Sequence, residues 1–187
     1  KQDQAPPDKI QGMQILTTPY PFLKHIAKAV TSWDKKTAKE VKDMGEILKK
    51  TTDPKGVGLA ATQVGLDKRL FILLSEKKVR VFVNPKVVSA SQKMLSTFYK
   101  KKKDRWLEGC LSIPRLWGFV DRAYSITLKY QEAGSFKTVS KDFSDVEAAY
   151  IQHEIDHLNG ILFTDRIRQQ NGQILRETED GLVSFSL

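Results

Sequence analysis

The apolar positions of this chain fall into two helical spacings and several shorter runs. Over 34–52, Val41, Met44, Ile47 and Leu48 recur three and four residues apart among lysines and glutamates. That pattern predicts a surface helix with one buried stripe. After Ser144 the pattern is wider: Ala148, Ile151, Ile155 and Leu158 form one stripe, and Val146, Tyr150, His153 and His157 form a second. A helix that is apolar on most sides is a buried one. Ser144-Asp145-Val146-Glu147 has the form of a capping box, and Gly160 stands where a helix end favours glycine.

The shorter runs are β-rich. Residues 69–75 and 79–84, joined by Glu76-Lys77-Lys78, predict a hairpin, and Pro85 is expected to end its second strand. Three further strands are expected over 116–121, 125–131 and 136–141, with turns at Asp121-Arg122 and Glu132-Ala133-Gly134-Ser135. Residues 1–12 and 168–187 read as tails, and 91–105 as a long inserted loop or flap. No internal repeat is evident. Strands gathered around one buried helix predict a single α+β domain, and 187 residues are enough to bury its core.

The second helix carries the most specific chemistry. His153-Glu154-Ile155-Asp156-His157 sets two imidazoles four residues apart, hence on one helical face, with a carboxylate between them. Two such histidines can grip one metal ion, and Glu154 can act as general base towards water. The other candidate ligands are Cys110 and His25. His25 sits in Phe22-Leu23-Lys24-His25-Ile26-Ala27, an ordinary amphipathic helix start, and is expected to be a surface or partly buried residue. Three protein ligands with a fourth position open is the pattern of a catalytic metal, whereas a structural zinc site closes with four.

Three segments resemble the signature motifs of peptide deformylases, in order and in approximate separation. They are Gly56-Val57-Gly58-Leu59-Ala60-Ala61-Thr62-Gln63, Glu108-Gly109-Cys110-Leu111-Ser112 and the histidine motif itself. The resemblance covers roughly 15–167. It implies small antiparallel and mixed sheets wrapped around a central metal-binding helix. It implies that Cys110, His153 and His157 hold one divalent metal, with Fe(II) favoured. A thiolate with two imidazoles also accepts zinc, cobalt or nickel.

The same resemblance assigns roles around the metal. Glu154 would take a proton from the attacking water and return it to the departing amine. The Gln63 side-chain amide and the Leu111 backbone N–H would stabilise the oxyanion. Glu108 would accept a hydrogen bond from His153 and fix its tautomer. Asp156 would point away from the metal and anchor the helix, with Arg122 as a partner. The implied substrate is an N-formyl-methionyl peptide. Val57, Val146 and Ala149 occupy positions that line its methionine slot. Gly58 would let the substrate backbone approach closely, and Gly109 would let it pair as an added strand.

The chain departs from the family in places. Trp117 stands where many deformylases carry arginine, which bears on distal substrate preference. The 91–105 excursion is longer than in bacterial forms. The C-terminal stretch mixes Arg166, Arg168 and Arg176 with Glu177, Glu179 and Asp180, and is interrupted by Gly172 and Gly181. It does not read as the basic helix that tethers bacterial enzymes to the ribosome.

Composition adds a little. The net charge is +9, and Lys100 to Lys103 supply four of those charges. This suits proximity to a polyanion such as the ribosome surface; no nucleic-acid fold motif accompanies it, so specific nucleic acid is not expected. No run of 18 apolar residues exists, so no membrane helix is expected. The single cysteine excludes an intramolecular disulfide and suits a reducing compartment. The chain begins with Lys1, so removal of an upstream segment is expected. With the lysine-rich loop this points to a eukaryotic organelle, plastid or mitochondrion, with bacterial cytoplasm as the alternative. Two other functions compete. A metallopeptidase of the His-Glu-x-x-His type is disfavoured by the upstream Cys110, since those enzymes usually take an oxygen or nitrogen ligand downstream. The other is a basic RNA-binding module with a structural metal.

Overall fold

Helix α1 (Lys35–Lys50) forms where the amphipathic spacing predicts it. Asp34 caps it by accepting a hydrogen bond from the Thr37 backbone N–H at 2.7 Å. Val41, Met44 and Leu48 are buried on its inner face. The computed structural model describes residues 12–76, 78–99 and 106–186. Lys100 to Lys103, Lys77 and all but the last residue of the expected N-terminal tail lie outside those segments.

Two sheets follow, and every strand pair among the described residues is antiparallel. The first runs β1 (Gly58–Ala60), β2 (Leu70–Ser75), β3 (Lys78–Ala90), β6 (Ser125–Gln131) and β7 (Thr138–Ser144), in that order. The second runs β4 (Glu108–Cys110), β5 (Ile113–Gly118), β8 (Ile174–Thr178) and β9 (Gly181–Phe185). Helix α2 (Asp145–Leu158) packs on the first sheet, and the short helix α3 (Phe163–Gln169) packs near β4. The architecture is α+β, as the pattern predicts.

Several boundaries differ from the sequence reading, each for a local reason. Pro85 does not end β3. The strand changes partner there, pairing with β2 up to Val83 and with β6 from Lys86 onward, with a register shift between. Proline lacks the N–H that a regular ladder needs, and a bulge removes that demand. Asn84 holds the irregularity: its side chain accepts from Val30 N–H and donates to the Val30 carbonyl, both at 2.8 Å. The strand expected over 116–121 lies earlier, because β5 starts three residues after Cys110 through a tight turn. The strand expected over 136–141 lies later, because Phe136 adopts φ 56° and belongs to the turn.

Ser144 does cap α2 with extended backbone, but its side chain makes no capping bond. Glu147 turns outward to Arg80 on β3 instead. At the other end, Gly160 has φ 69°, and the Lys24 carbonyl oxygen lies 2.3 Å from where a Cβ would stand. Only glycine fits there. The expected C-terminal tail is the largest correction. Residues 174–185 form a hairpin, β8–β9, that completes the second sheet. Ile174 is buried and seats it in the core, while the rest of the hairpin is largely exposed. That exposure gives it a tail-like composition.

The hydrophobic core divides. One cluster joins α2, through Ala148, Ile151 and Leu158, to Phe71, Phe82 and Leu128 of the first sheet. Another joins Cys110 and Ile113 to Phe163, Ile167 and Ile174. The histidine motif of α2 meets Cys110 where these two clusters adjoin.

Candidate metal centre

Strand β4 is three residues long, and its alternation sorts the site. Glu108 and Cys110 are buried on one face, and Gly109 turns to the other. Helix α2 brings His153 and His157 one turn apart, with ring centroids 4.9 Å from each other. The Cys110 Sγ lies 3.1 Å from His157 Nε2. One ligand atom from each of Cys110, His153 and His157 falls within 4.8 Å of the others, and all three residues are buried. This is the trio that the sequence proposes. His25 lies apart from it, stacked on Phe22 and bonded through Nε2 to Asp67 at 2.7 Å.

The donor set suits a divalent metal. Thiolate and neutral imidazole are the ligand forms such ions take. Burial, and then the neighbouring His153, hold the His157 ring well below the ordinary imidazole pKa, hence neutral. His153 Nδ1 faces Glu108 Oε2 at 2.8 Å. Burial raises the Glu108 carboxyl, but the Arg122 guanidinium outweighs it and brings the pKa down to about 2. A carboxylate can only accept, so Nδ1 carries the hydrogen and Nε2 is the nitrogen left for a ligand role.

Arg122 holds the framework behind the metal ligands. It donates through Nε and Nη2 to the two oxygens of Glu108, and through Nη1 to Asp156 Oδ2 at 2.9 Å. Arg166 engages the same Asp156 carboxylate from outside. Asp156 thus anchors the helix, as expected, and Arg122 links it to the strand that bears Cys110. The sequence suggests the Asp156 link but not the Glu108 one, because Arg122 occupies an expected turn where a buried cation has no periodicity to reveal it.

Glu154 faces the same cavity. Its Oε2 is buried without a hydrogen-bond partner. Burial raises its pKa, with His153 and Arg122 pulling the other way, to about 7. A carboxyl so placed exchanges a proton near neutrality. Gly58 gives it room: a Cβ there would stand 2.2 Å from Glu154 Oε1. The expected close approach at Gly58 is therefore made by the Glu154 carboxyl itself. At Gly109 the corresponding space is taken by the Trp117 indole, 2.6 Å from where a Cβ would be.

Gln63 lies in a single 3-10 turn, Ala61–Val64, directly after β1. Its Oε1 accepts from Ala60 N–H at 2.8 Å, which aims Nε2 at Ser112 Oγ (3.1 Å) and Cys110 Sγ (3.6 Å). Leu111 follows Cys110 in the turn to β5 and lines the same cavity, of about 120 Å³. Val57, Gly58, Gly109, His153 and Glu154 line it too. Val146 lines an adjoining cavity with Val57 and Tyr150, whereas Ala149, expected to line the slot, is fully buried and is not among the residues lining either cavity. Sequence reasoning did not single out Trp106 or Tyr150 as cavity walls. Tyr150 shares the His153 stripe, so helical spacing alone could have found it.

The likeness to known proteins is extensive. A family model described as polypeptide deformylase matches residues 13–173. A peptide deformylase of Pseudothermotoga lettingae is 35% identical over 147 residues, 79% of this chain and 78% of that one. One from Chromobacterium violaceum is 35% identical over 167 residues, 88% of this chain and 92% of that one. Among solved structures, peptide deformylase from Thermotoga maritima superposes with a TM-score of 0.72 at 30% identity, covering 84% of this chain and 98% of its own. That from Plasmodium falciparum gives 0.71 at 29%, covering 84% and 90%. A family model that spans most of the chain, with relatives 35% identical over more than two thirds of it, leaves one assignment: this chain belongs to the polypeptide deformylase family.

Proposed function

We propose that this protein removes the N-formyl group from formyl-methionyl peptides and releases formate, using one divalent cation held by Cys110, His153 and His157. The observation that carries the reading is the convergence of those three buried ligand atoms beside an unpartnered Glu154 oxygen. When bound, the cation supplies Lewis acidity, which polarises a carbonyl and lowers the pKa of water by several units.

The chain's own groups supply the remainder. Glu154 is positioned to accept a proton from water and to pass it to the amine nitrogen as the C–N bond breaks. Gln63, which lines the cavity and whose Nε2 faces Ser112 Oγ and Cys110 Sγ, is the donor available to the oxygen that gains charge, and Leu111 N–H lies in the adjoining turn. A preorganised donor of this kind is worth about 3 kcal/mol in a transition state. The small cavity favours a formyl group over bulkier acyl groups by steric exclusion. The methionine side chain is directed towards Val57, Val146 and Tyr150, an apolar wall that an unbranched thioether can follow.

Fe(II) is the favoured cation on the family resemblance, with zinc, cobalt and nickel compatible with the same donors. Metal analysis after anaerobic purification tests it. Association with the ribosome surface is supported by the net charge of +9. A eukaryotic organelle setting is supported by the lysine-rich excursion; imaging the tagged full-length protein tests it.

The function is tested by assaying formate release from formyl-Met-Ala-Ser alongside unformylated Met-Ala-Ser and a longer internal peptide. Formate from the first alone is expected. Internal cleavage with no formate would overturn the reading in favour of a metallopeptidase.

A further inference from the structure

We infer that a cavity on the far side of α2 from Glu154, lined by Arg122, Asn159 and Arg166, is a second binding site, which takes a small monocarboxylate with a short apolar tail. It lies outside the reaction cleft, and the inference does not depend on the reaction proposed above.

Helix α2 presents more than one face to a cavity. His153 and His157 stand on the face that meets Cys110. Gln152, Ile155, Asp156 and Asn159 are spaced three, four and seven residues on from the first, so they share another face. They line a cavity of about 380 Å³, and none of the residues that line the metal cleft lines this one. Helix α3 contributes Arg166 and the exposed Gln170, so the cavity opens to solvent there. Val87 and Met94 add an apolar wall beside Ile155.

The side-chain acceptors that line the cavity are already engaged. Asp156 receives Arg122 Nη1 at 2.9 Å, and Nε and Nη2 of Arg166. Asp121 receives the Ser96 N–H and hydroxyl. Gln152 and Gln170 accept through Oε1 from the Ala123 and Asp121 N–H groups. Asn159 Oδ1 accepts from Arg69 Nη1 at 2.9 Å. Donors are left over. The Arg69 bond fixes the Asn159 amide, whose Nδ2 has no partner among the described residues. Each Nη of Arg122 and of Arg166 makes one bond, and a guanidinium Nη carries two hydrogens. Walls with spare N–H groups and occupied oxygens suit a ligand that only accepts, and a carboxylate is such a group.

Charge agrees with the donor count. Arg122 is buried and faces Glu108 and Asp156, and Arg166 shares Asp156. Arg69 adds a third guanidinium behind Asn159. It is half-buried, burial works against its charge, and it makes no ion pair among the described residues. An anion seated on Asn159 Nδ2 faces that unanswered charge across a single amide. The wall of Val87, Met94 and Ile155 then receives an apolar tail, as small-molecule sites with a few placed polar groups do.

Met94 makes the site observable. The other methionines, Met13 and Met44, belong to the separate cluster around α1. Zinc-loaded protein with isotope-labelled methionine methyl groups is titrated by NMR with isobutyrate, isobutyramide and isobutylammonium, which carry the same branched tail. Isobutyrate is expected to shift the Met94 resonance saturably, with a midpoint on the order of 1–10 mM, and to leave Met44 in place. The amide should bind at least about fivefold more weakly, and the ammonium should leave Met94 unmoved. Asn159→Asp keeps the shape and the acceptor for Arg69 but replaces the spare donor with a negative oxygen. It should raise the isobutyrate midpoint at least about tenfold. Arg166→Gln should raise it about threefold or more. An unchanged Met44 resonance reports that each variant has folded. An unmoved Met94 up to about 100 mM isobutyrate would overturn the inference. So would an equal response to the ammonium, a parallel shift of Met44, or an unchanged midpoint in either folded variant.

Discussion

His153 Nδ1 donates to Glu108 Oε2 at 2.8 Å, and that contact turns the other ring nitrogen towards Cys110. One strand residue thereby sets the tautomer of a helix residue 45 positions away in sequence. Replacing Glu108 by Gln keeps the shape and removes the charge. Metal affinity is expected to fall about 10- to 100-fold, a usual cost of losing such a partner. Competition with a chromogenic chelator measures it, and unchanged affinity would refute the orienting role.

Arg122 neutralises two buried carboxylates at once. In Arg122→Ala, Glu108 and Asp156 lose their shared cation in a buried setting. Removing one partner of a buried ion pair costs about 3–5 kcal/mol. Urea denaturation of the metal-loaded protein should show a loss of that size, with an unchanged slope. A loss below about 1 kcal/mol would mean that the triad does not hold α2 to β4.

Glu154 and Gly58 act as a pair. Glu154→Gln is expected to retain metal and lose at least about 100-fold in kcat. Gly58→Ala should mimic it in part, because a methyl group there must displace the Glu154 carboxyl. A loss of tenfold or more, with full metal content, is expected from displacing a base by about an ångström. Formate release paired with metal analysis distinguishes both from ligand loss.

The Asp67 carboxyl, held by His25 and Lys28, ties one local contact to acid stability. Burial raises its pKa, but hydrogen bonds from Lys28 and His25 prevail and hold it below the ordinary value of 3.8. A group with a depressed folded pKa stabilises above its unfolded value, and that contribution is lost as pH falls through the folded one. Asp67→Asn should therefore be less stable than the parent at pH 7, by under about 1 kcal/mol for so exposed a cluster. The two should converge as the pH is taken well below 3.8. Parallel stability curves down to that pH would count against the assignment.

Much of the centre is legible in sequence because its parts are local. The histidine spacing, the burial of its helix and the trio with Cys110 each follow from short segments. What is not legible depends on distant partners. Arg122 reads as a turn residue because its function comes from Glu108 and Asp156, which reach it only after β4 and α2 are assembled. The C-terminal hairpin reads as a tail because its stability comes from backbone pairing with β5, and side-chain hydrophobicity does not record hydrogen bonds. Pro85 misleads for a related reason: a strand that exchanges neighbours at the proline never asks it for a donor.

The alternation of β4 makes the metal site sensitive to a single-step slip during assembly. Displaced by one residue, the strand would offer a side-chain-less position to the cation and send both sulfur and carboxylate towards solvent. What prevents this is Trp117 lodged over Gly109 on the opposite face, a tooth that fits one notch only. A residue that meets no reactive atom thus keeps the ligands in phase.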